Sequence, residues 1–208
     1  MVDESARAAL LTLGEVAAGT IFLCRRMLAG VDHLLDRVRS DERSPAAGSA
    51  GTASAALAAA LVMKAARRSR AVWPEAGGAI AQAAALETRL WAASDELERS
   101  YRRAVEALES GDQEDIGQFV PAAADASLEL ARIAADVAEL AVDAAHHCDQ
   151  AHHADVTVAA ILATAAARTG AHLVAVNLLS RPDDFRSSEA RLLVERSHAA
   201  AEMLASER

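Results

Sequence analysis

Apolar positions recur along this chain at helical spacing, and almost nowhere with the alternation of a strand. Near the start, Ile21-Phe22-Leu23, Met27-Leu28, Val31 and Leu34-Leu35 fall three or four residues apart. They predict one broken or two short amphipathic helices over the first ~40 residues, with Gly14, Gly19 and Gly30 as weak points. The charged run from Arg39 to Ser44 reads as a linker closed by Pro45, which disfavours helix at the residue before it. A second helix follows from Ser49 or Thr52, either able to cap it, to about Val72, and Trp73-Pro74 breaks it. A third helix occupies Glu75 to Ser110 after Gly77-Gly78 and ends at Gly111. Phe119-Val120-Pro121 reads as a loop, and a fourth helix covers roughly Ala122 to Ala145. The fifth runs from Asp155 to about Leu179 with Gly170 inside it. Arg181-Pro182-Asp183-Asp184 is a turn, and a last helix spans Ser187 to Ser206. No tandem repeat is present, only a shared alanine-rich composition.

Composition sharpens this to an all-α fold, a multi-helix bundle of antiparallel helices. The chain of 208 residues is 52% hydrophobic but only 3% aromatic, so its core is built from Ala, Leu and Val. Alanine is the strongest helix former, and small side chains let helices approach closely. They also bury little area each, at roughly 25 cal/mol per Å². A bundle of this kind gains by extending its contacts into a second copy, so a homodimer is expected. The organisation expected is a helical segment with a charged linker at 1–44 and a helical domain at 45–208, one domain overall.

A formal charge of −9 excludes nucleic acid as a general partner, because phosphate contacts need a basic surface. The acidic start is unlike a signal peptide, and Cys24 and Cys148 have no disulfide or metal-ligand spacing, so a cytoplasmic location is expected. The longest apolar runs, such as Ala53 to Met63, read as too short and too alanine-rich to span a bilayer, so no membrane association is expected.

Four groups of residues carry candidate chemistry. Pro45, Gly48 and Ser49 lie in a small-residue stretch before a helix N-terminus, where backbone N–H groups can approach an anion or carbonyl; a linker with an N-cap explains them equally. Lys64, the one lysine in the chain, shares a helix face with Arg67 and Arg68. That face could hold carboxylates of a ligand, or simply favour the negative end of the helix dipole. The cluster His146, His147, His152 and His153 surrounds Cys148 and Asp149. Cys148 with His152, or Asp149 with His153, would stand four apart on a helix, a workable ligand geometry. With no second pair elsewhere, a polar junction is expected instead of a metal site. Finally, Asp155 opens the fifth helix and Asn177 stands 22 positions later. On a straight helix the two share a face but sit ~33 Å apart, so one small ligand on one subunit cannot touch both. Asp155 reads either as an N-cap or as a site carboxylate.

The stretch from Ala154-Asp155-Val156-Thr157-Val158-Ala159-Ala160 to Val176-Asn177-Leu178 resembles the cyclodeaminase/cyclohydrolase family of one-carbon folate metabolism. That family has Ser-Asp-x-Gly-Val-Ala-Ala and Asn-Val-x-Ile-Asn-Leu at the same separation. Its Pro-Gly-Gly-Gly-Ser is matched here by Pro45, Gly48 and Ser49, with Ala46 and Ala47 between. The third-helix run Asp-x-x-Ala-Phe/Tyr is replaced by Leu97-Glu98-Arg99-Ser100-Tyr101, where the acid is missing at its position. The resemblance implies an enzyme acting on formimino- or methenyl-tetrahydrofolate, a cyclodeaminase or cyclohydrolase, without a metal. It gives Asp155 the acid/base or cation-stabilising role, and Pro45, Gly48, Ser49, Lys64, Arg67, Arg68 and Asn177 the binding of substrate. The missing acid leaves open an alternative, a non-catalytic helical homodimer that retains the fold.

Overall fold

The computed structural model describes residues 29–41, 47–179, 181 and 183–206. The expected helices before residue 29, Cys24, Pro45 and Pro182 lie outside them. The chain divides into two compact units, 1–43 and 44–208. In the first, α1 (Ala29–Arg39) is amphipathic and carries an exposed Asp36–Arg39 pair one turn apart.

The second unit is built of α2 (Ala47–Arg68), α3 (Ala76–Ser110), α4 (Gln113–His147), α5 (His153–Asn177) and α6 (Phe185–Ser206), with a 3₁₀ turn at Gln150–His152. Among the described residues there is no strand. Two expected boundaries are corrected. The second helix starts at Ala47, before Ser49 and Thr52, and Thr52 Oγ1 donates back to the Gly48 carbonyl instead of capping. The larger correction is at Phe119-Val120-Pro121, which lies inside α4. Asp112 starts that helix, its carboxylate accepting the Glu114 and Asp115 N–H groups, and two acids in the first turn suit the dipole. So strong a start carries the helix through Pro121, which costs it one backbone hydrogen bond. Gly111 ends α3 as its sequence indicates, at φ 72° with its N–H on the Ala107 carbonyl.

α5 packs between α2 and α6 and over α4, while α3 lies against α2 and α4. Gly48 of α2 lies against Leu97 of α3 and Leu173 of α5, whereas Lys64, sixteen residues on, meets Asp155. α2 and α5 are therefore antiparallel. So are α5 and α6: Val174 and Leu178 share a core with Ala190 and Leu193, while Val156 and Ala159 share one with Ala200 and Leu204. The main core is mostly alanine, with Leu90, Leu130, Ile133, Val62 and Val137 as its larger fully buried members.

Alanine permits close helix contact, and at one point even a methyl group is excluded. A Cβ on Gly170 would lie 2.8 Å from both the Ala131 nitrogen and the Ser127 oxygen, so α5 rests directly on the α4 backbone there. On the outer side of α4 an arginine–carboxylate ladder ties neighbours together. Arg89 of α3 pairs with Glu129 and Asp136, Arg132 with Glu129 and Glu189, and Arg196 of α6 with Asp136 and Glu139.

Two helical stretches, Ala47–Arg68 and Gln150–Asn177, are long and apolar enough to cross a membrane by length and composition, which corrects the reading of their apolar runs as too short. About half of each is buried inside the bundle. The unburied half leaves Leu57 of α2 and Val158 and Ile161 of α5 exposed, with Leu192 and Met203 exposed on α6.

Candidate functional site

Asp155 is the third residue of α5, which starts at His153, so of its two readings the N-cap is excluded. The helix begins two residues earlier because Asp149 initiates the 3₁₀ turn, accepting the Ala151 N–H, and that turn runs directly into α5. Freed from capping, the Asp155 carboxylate faces α2. Lys64 Nζ lies 2.9 Å from its Oδ2, and His152 Nδ1 lies 3.6 Å from the same oxygen. The Lys64 ammonium, and after it the His152 ring, hold the carboxyl below the usual carboxylate range despite partial desolvation. Both approaches are therefore to Oδ2, from α2 and from the 3₁₀ turn.

The junction between α4 and α5 is fastened to the end of α2. Ser69 Oγ accepts the Asp149 N–H at 2.9 Å, and the His147 ring stacks on buried Trp73 with centroids 5.4 Å apart. Cys148 closes α4 with its N–H on the Ala144 carbonyl, and burial raises its thiol pKa. Trp73 and Ser69 thus bring the loop after α2 and the histidine junction to one end of the bundle. Arg67 and Arg68 stand exposed in the last turn of α2 beside it, Arg67 also touching the Met63 sulfur. Among the described residues, no group of three or more histidine, cysteine or acidic side chains is arranged to hold a metal.

Of the residues singled out in the sequence, Lys64, Arg67, Arg68 and Asp155 therefore gather at one end. Gly48 and Ser49 do not; they form the first turn of α2 at the other. A Cβ on Gly48 would make only ordinary contacts of 3.6 Å or more, so the position has no need of glycine for space. Asn177 is the last residue of α5, and its Nδ2 donates to Ser127 Oγ of α4 at 3.4 Å. Lys64 itself faces the carboxylate of Asp155 instead of standing free for an anionic ligand. Sequence reasoning missed His152 as the neighbour of Asp155. The i, i+3 spacing was there to be read, but the pairs weighed at this cluster were Cys148 with His152 and Asp149 with His153.

In the third helix the acid nearest the motif position is already paired. Glu98 is bound to Arg102 one turn on, at 2.9 Å.

The family model described as formiminotransferase-cyclodeaminase matches residues 30–195. A crystal structure of formiminotetrahydrofolate cyclodeaminase from Thermotoga maritima superposes with a TM-score of 0.73 at 20% identity, covering 82% of this chain and 89% of that one. A comparison with curated proteins gives no match.

Proposed function

The chain belongs to the formiminotransferase-cyclodeaminase family, and from that premise we propose that it transforms a formimino- or methenyl-tetrahydrofolate as a cytoplasmic cyclodeaminase or cyclohydrolase. The observation that carries this reading is the Asp155 carboxylate, held below the usual carboxylate range by Lys64 at the end of the bundle that also carries Arg67 and Arg68. Both reactions pass a positive charge through the one-carbon centre. In cyclodeamination nitrogen 10 attacks the formimino carbon and ammonia leaves; in cyclohydrolysis water adds to the methenyl bridge. A fixed carboxylate favours the cationic carbon electrostatically. Lys64 holds that carboxylate in place, and Arg67 and Arg68 offer guanidinium groups to the glutamate tail of the folate.

Gly48, Ser49 and Asn177 lie too far from Asp155 to serve the same ligand within one subunit. The exposed apolar face over α2, α5 and α6 supports a homodimer that resolves this. A two-fold axis near Leu57 and Ile161 would set the α2 N-terminus and α5 C-terminus of one protomer beside the Lys64–Asp155 pair of its partner. Gly48, Ser49 and Asn177 would then complete the substrate cleft across the interface.

The test is turnover of methenyl-tetrahydrofolate, followed by loss of its near-ultraviolet absorbance, together with ammonia release from formimino-tetrahydrofolate. Turnover of either supports the reading; none on both favours the second reading, a non-catalytic helical homodimer. The specific observation on that side is Glu98, which is paired with Arg102 and stands one step from the position where the family's motif has an acid.

A further inference from the structure

We propose that His152 is the group that exchanges protons with the reacting water in this site, while Asp155 acts only as a fixed anion. The assignment rests on the folate reading above and divides the two tasks that reading gave to Asp155 alone.

The geometry is that of a small cluster built from three elements. Lys64 comes from α2, His152 from the 3₁₀ turn and Asp155 from the first turn of α5, and the Lys64 ammonium and the His152 ring approach the same carboxylate oxygen. The His152 side chain is 18% exposed, mostly buried but still in contact with solvent. Its backbone is fixed from below, its N–H donating to the Asp149 carbonyl at 2.8 Å. The ionisable groups at this end of the bundle are Lys64, Arg67 and Arg68 from α2, His147, Cys148 and Asp149 from the end of α4 and the junction after it, and His153 and Asp155 from α5. The Cys148 thiol is pushed up by burial and by both neighbouring aspartates, so it stays protonated and does not compete as a base.

A general base works best when its pKa lies near the working pH. Asp155 is held below the ordinary carboxylate range by Lys64, which makes it a weak base and a good permanent anion. An imidazole exchanges protons near neutrality, and histidine is the side chain suited to that task. In the hydrolytic direction the balance is as follows. The water oxygen forms a bond to the methenyl carbon and gives one proton to the His152 ring. The bond from carbon to nitrogen 5 then breaks, its electron pair staying on nitrogen, and the imidazolium returns its proton to that nitrogen. The remaining hydroxyl proton leaves to solvent as the formyl carbonyl forms. The Asp155 carboxylate stands beside the cationic carbon throughout and gains no proton.

The experiment is the pH dependence of kcat for methenyl-tetrahydrofolate, in the full chain, for wild type, His152→Gln, His152→Ala and Asp155→Asn. Wild type should lose kcat on acidification through the histidine range, and His152→Gln should lose ~10²-fold at neutral pH together with that limb. Added imidazole should restore turnover to His152→Ala but not to Asp155→Asn, an effect a purely structural histidine would not show. A wild-type kcat flat between pH 5.5 and 8, or His152→Gln as fast as wild type, would overturn the assignment while leaving the folate reading intact. The wild-type profile needs no variant to fold. Absence of wild-type turnover on either folate would overturn both.

Discussion

Lys64 Nζ lies 2.9 Å from Asp155 Oδ2, although 91 positions separate the two in sequence. The pair closes the antiparallel contact of α2 and α5 at one end. The Lys64 side chain is 57% exposed and that of Asp155 26%, so the pair contributes little to folding, about 0–1 kcal/mol. What it does set is the ionisation of the carboxylate.

Asp155→Asn is expected to lower turnover by ~10²-fold or more while moving the melting temperature by no more than about 2–4 °C. The substitution removes charge and leaves shape nearly unchanged. Stopped assays on methenyl-tetrahydrofolate and thermal melts of both proteins measure the two effects separately; equal rates would leave Asp155 without a chemical role.

Lys64→Met removes the largest cause of the depressed Asp155 ionisation, so the carboxyl should titrate closer to the ordinary carboxylate range. Carbon-detected NMR of the side-chain carboxyl reads this directly. An unchanged titration would mean that Lys64 does not hold the carboxylate in solution.

The cluster shows where sequence alone was enough and where it was not. Helical periodicity and alanine content gave the bundle, and Gly111 gave the end of α3. Pro121 was misread because local rules count against a mid-helix proline, whereas the N-cap at Asp112 lies nine residues upstream and outweighs it. Asp155 was legible as a carboxylate at the start of a helix, but not as the partner of Lys64. That contact depends on how α2 and α5 lie against each other, a relation set by packing between helices and not by the neighbours of either residue. The same holds for Gly48, Ser49 and Asn177, which sit in the right elements and at the wrong end for Asp155 within one subunit.

Leu57 and Ile161 are 57% and 52% exposed on adjoining helices, so replacing both by glutamate should leave the bundle folded and split the homodimer proposed above. Sedimentation at micromolar concentration should change from twice the chain mass to once, with loss of turnover. A wild-type protein of single-chain mass would sink both the dimer and the shared cleft.

Acid should destabilise the protein from about pH 4 downwards. Asp184, held first by the Arg186 backbone N–H and then by its guanidinium, and Glu189, held by Arg132, both have lowered pKa values, as does Asp155. A carboxylate whose folded pKa lies below its unfolded one adds stability above the unfolded value and loses it as pH falls through the folded value. The melting temperature should therefore change little from pH 7 to 5 and fall below 4. Arg186→Leu should start lower at pH 7 and show a smaller acid-dependent fall; an equal fall would separate Asp184 from the effect.

Gly170→Ala should destabilise the bundle by about 1–3 kcal/mol, in spite of the better helix propensity of alanine, because the added methyl meets the α4 backbone. A chemical denaturation midpoint no lower than that of wild type would show that the helices can separate there at no cost.

That same backbone contact acts as a fulcrum. Asp155 is carried on the arm of α5 fifteen residues, or ~22 Å, from the point where Gly170 rests on Ala131 and Ser127. The arm can neither slide nor roll at its pivot without driving backbone into backbone, so the aim of the carboxylate is set by residue count along the arm. One residue inserted between Val156 and Thr169 would swing Asp155 by about 100° around the axis, away from Lys64. Seven inserted residues, close to two full turns, would bring it back to the α2 side but ~10 Å too far along. The chain length between a glycine and an aspartate is thus as much a part of this site as the side chains that face each other in it.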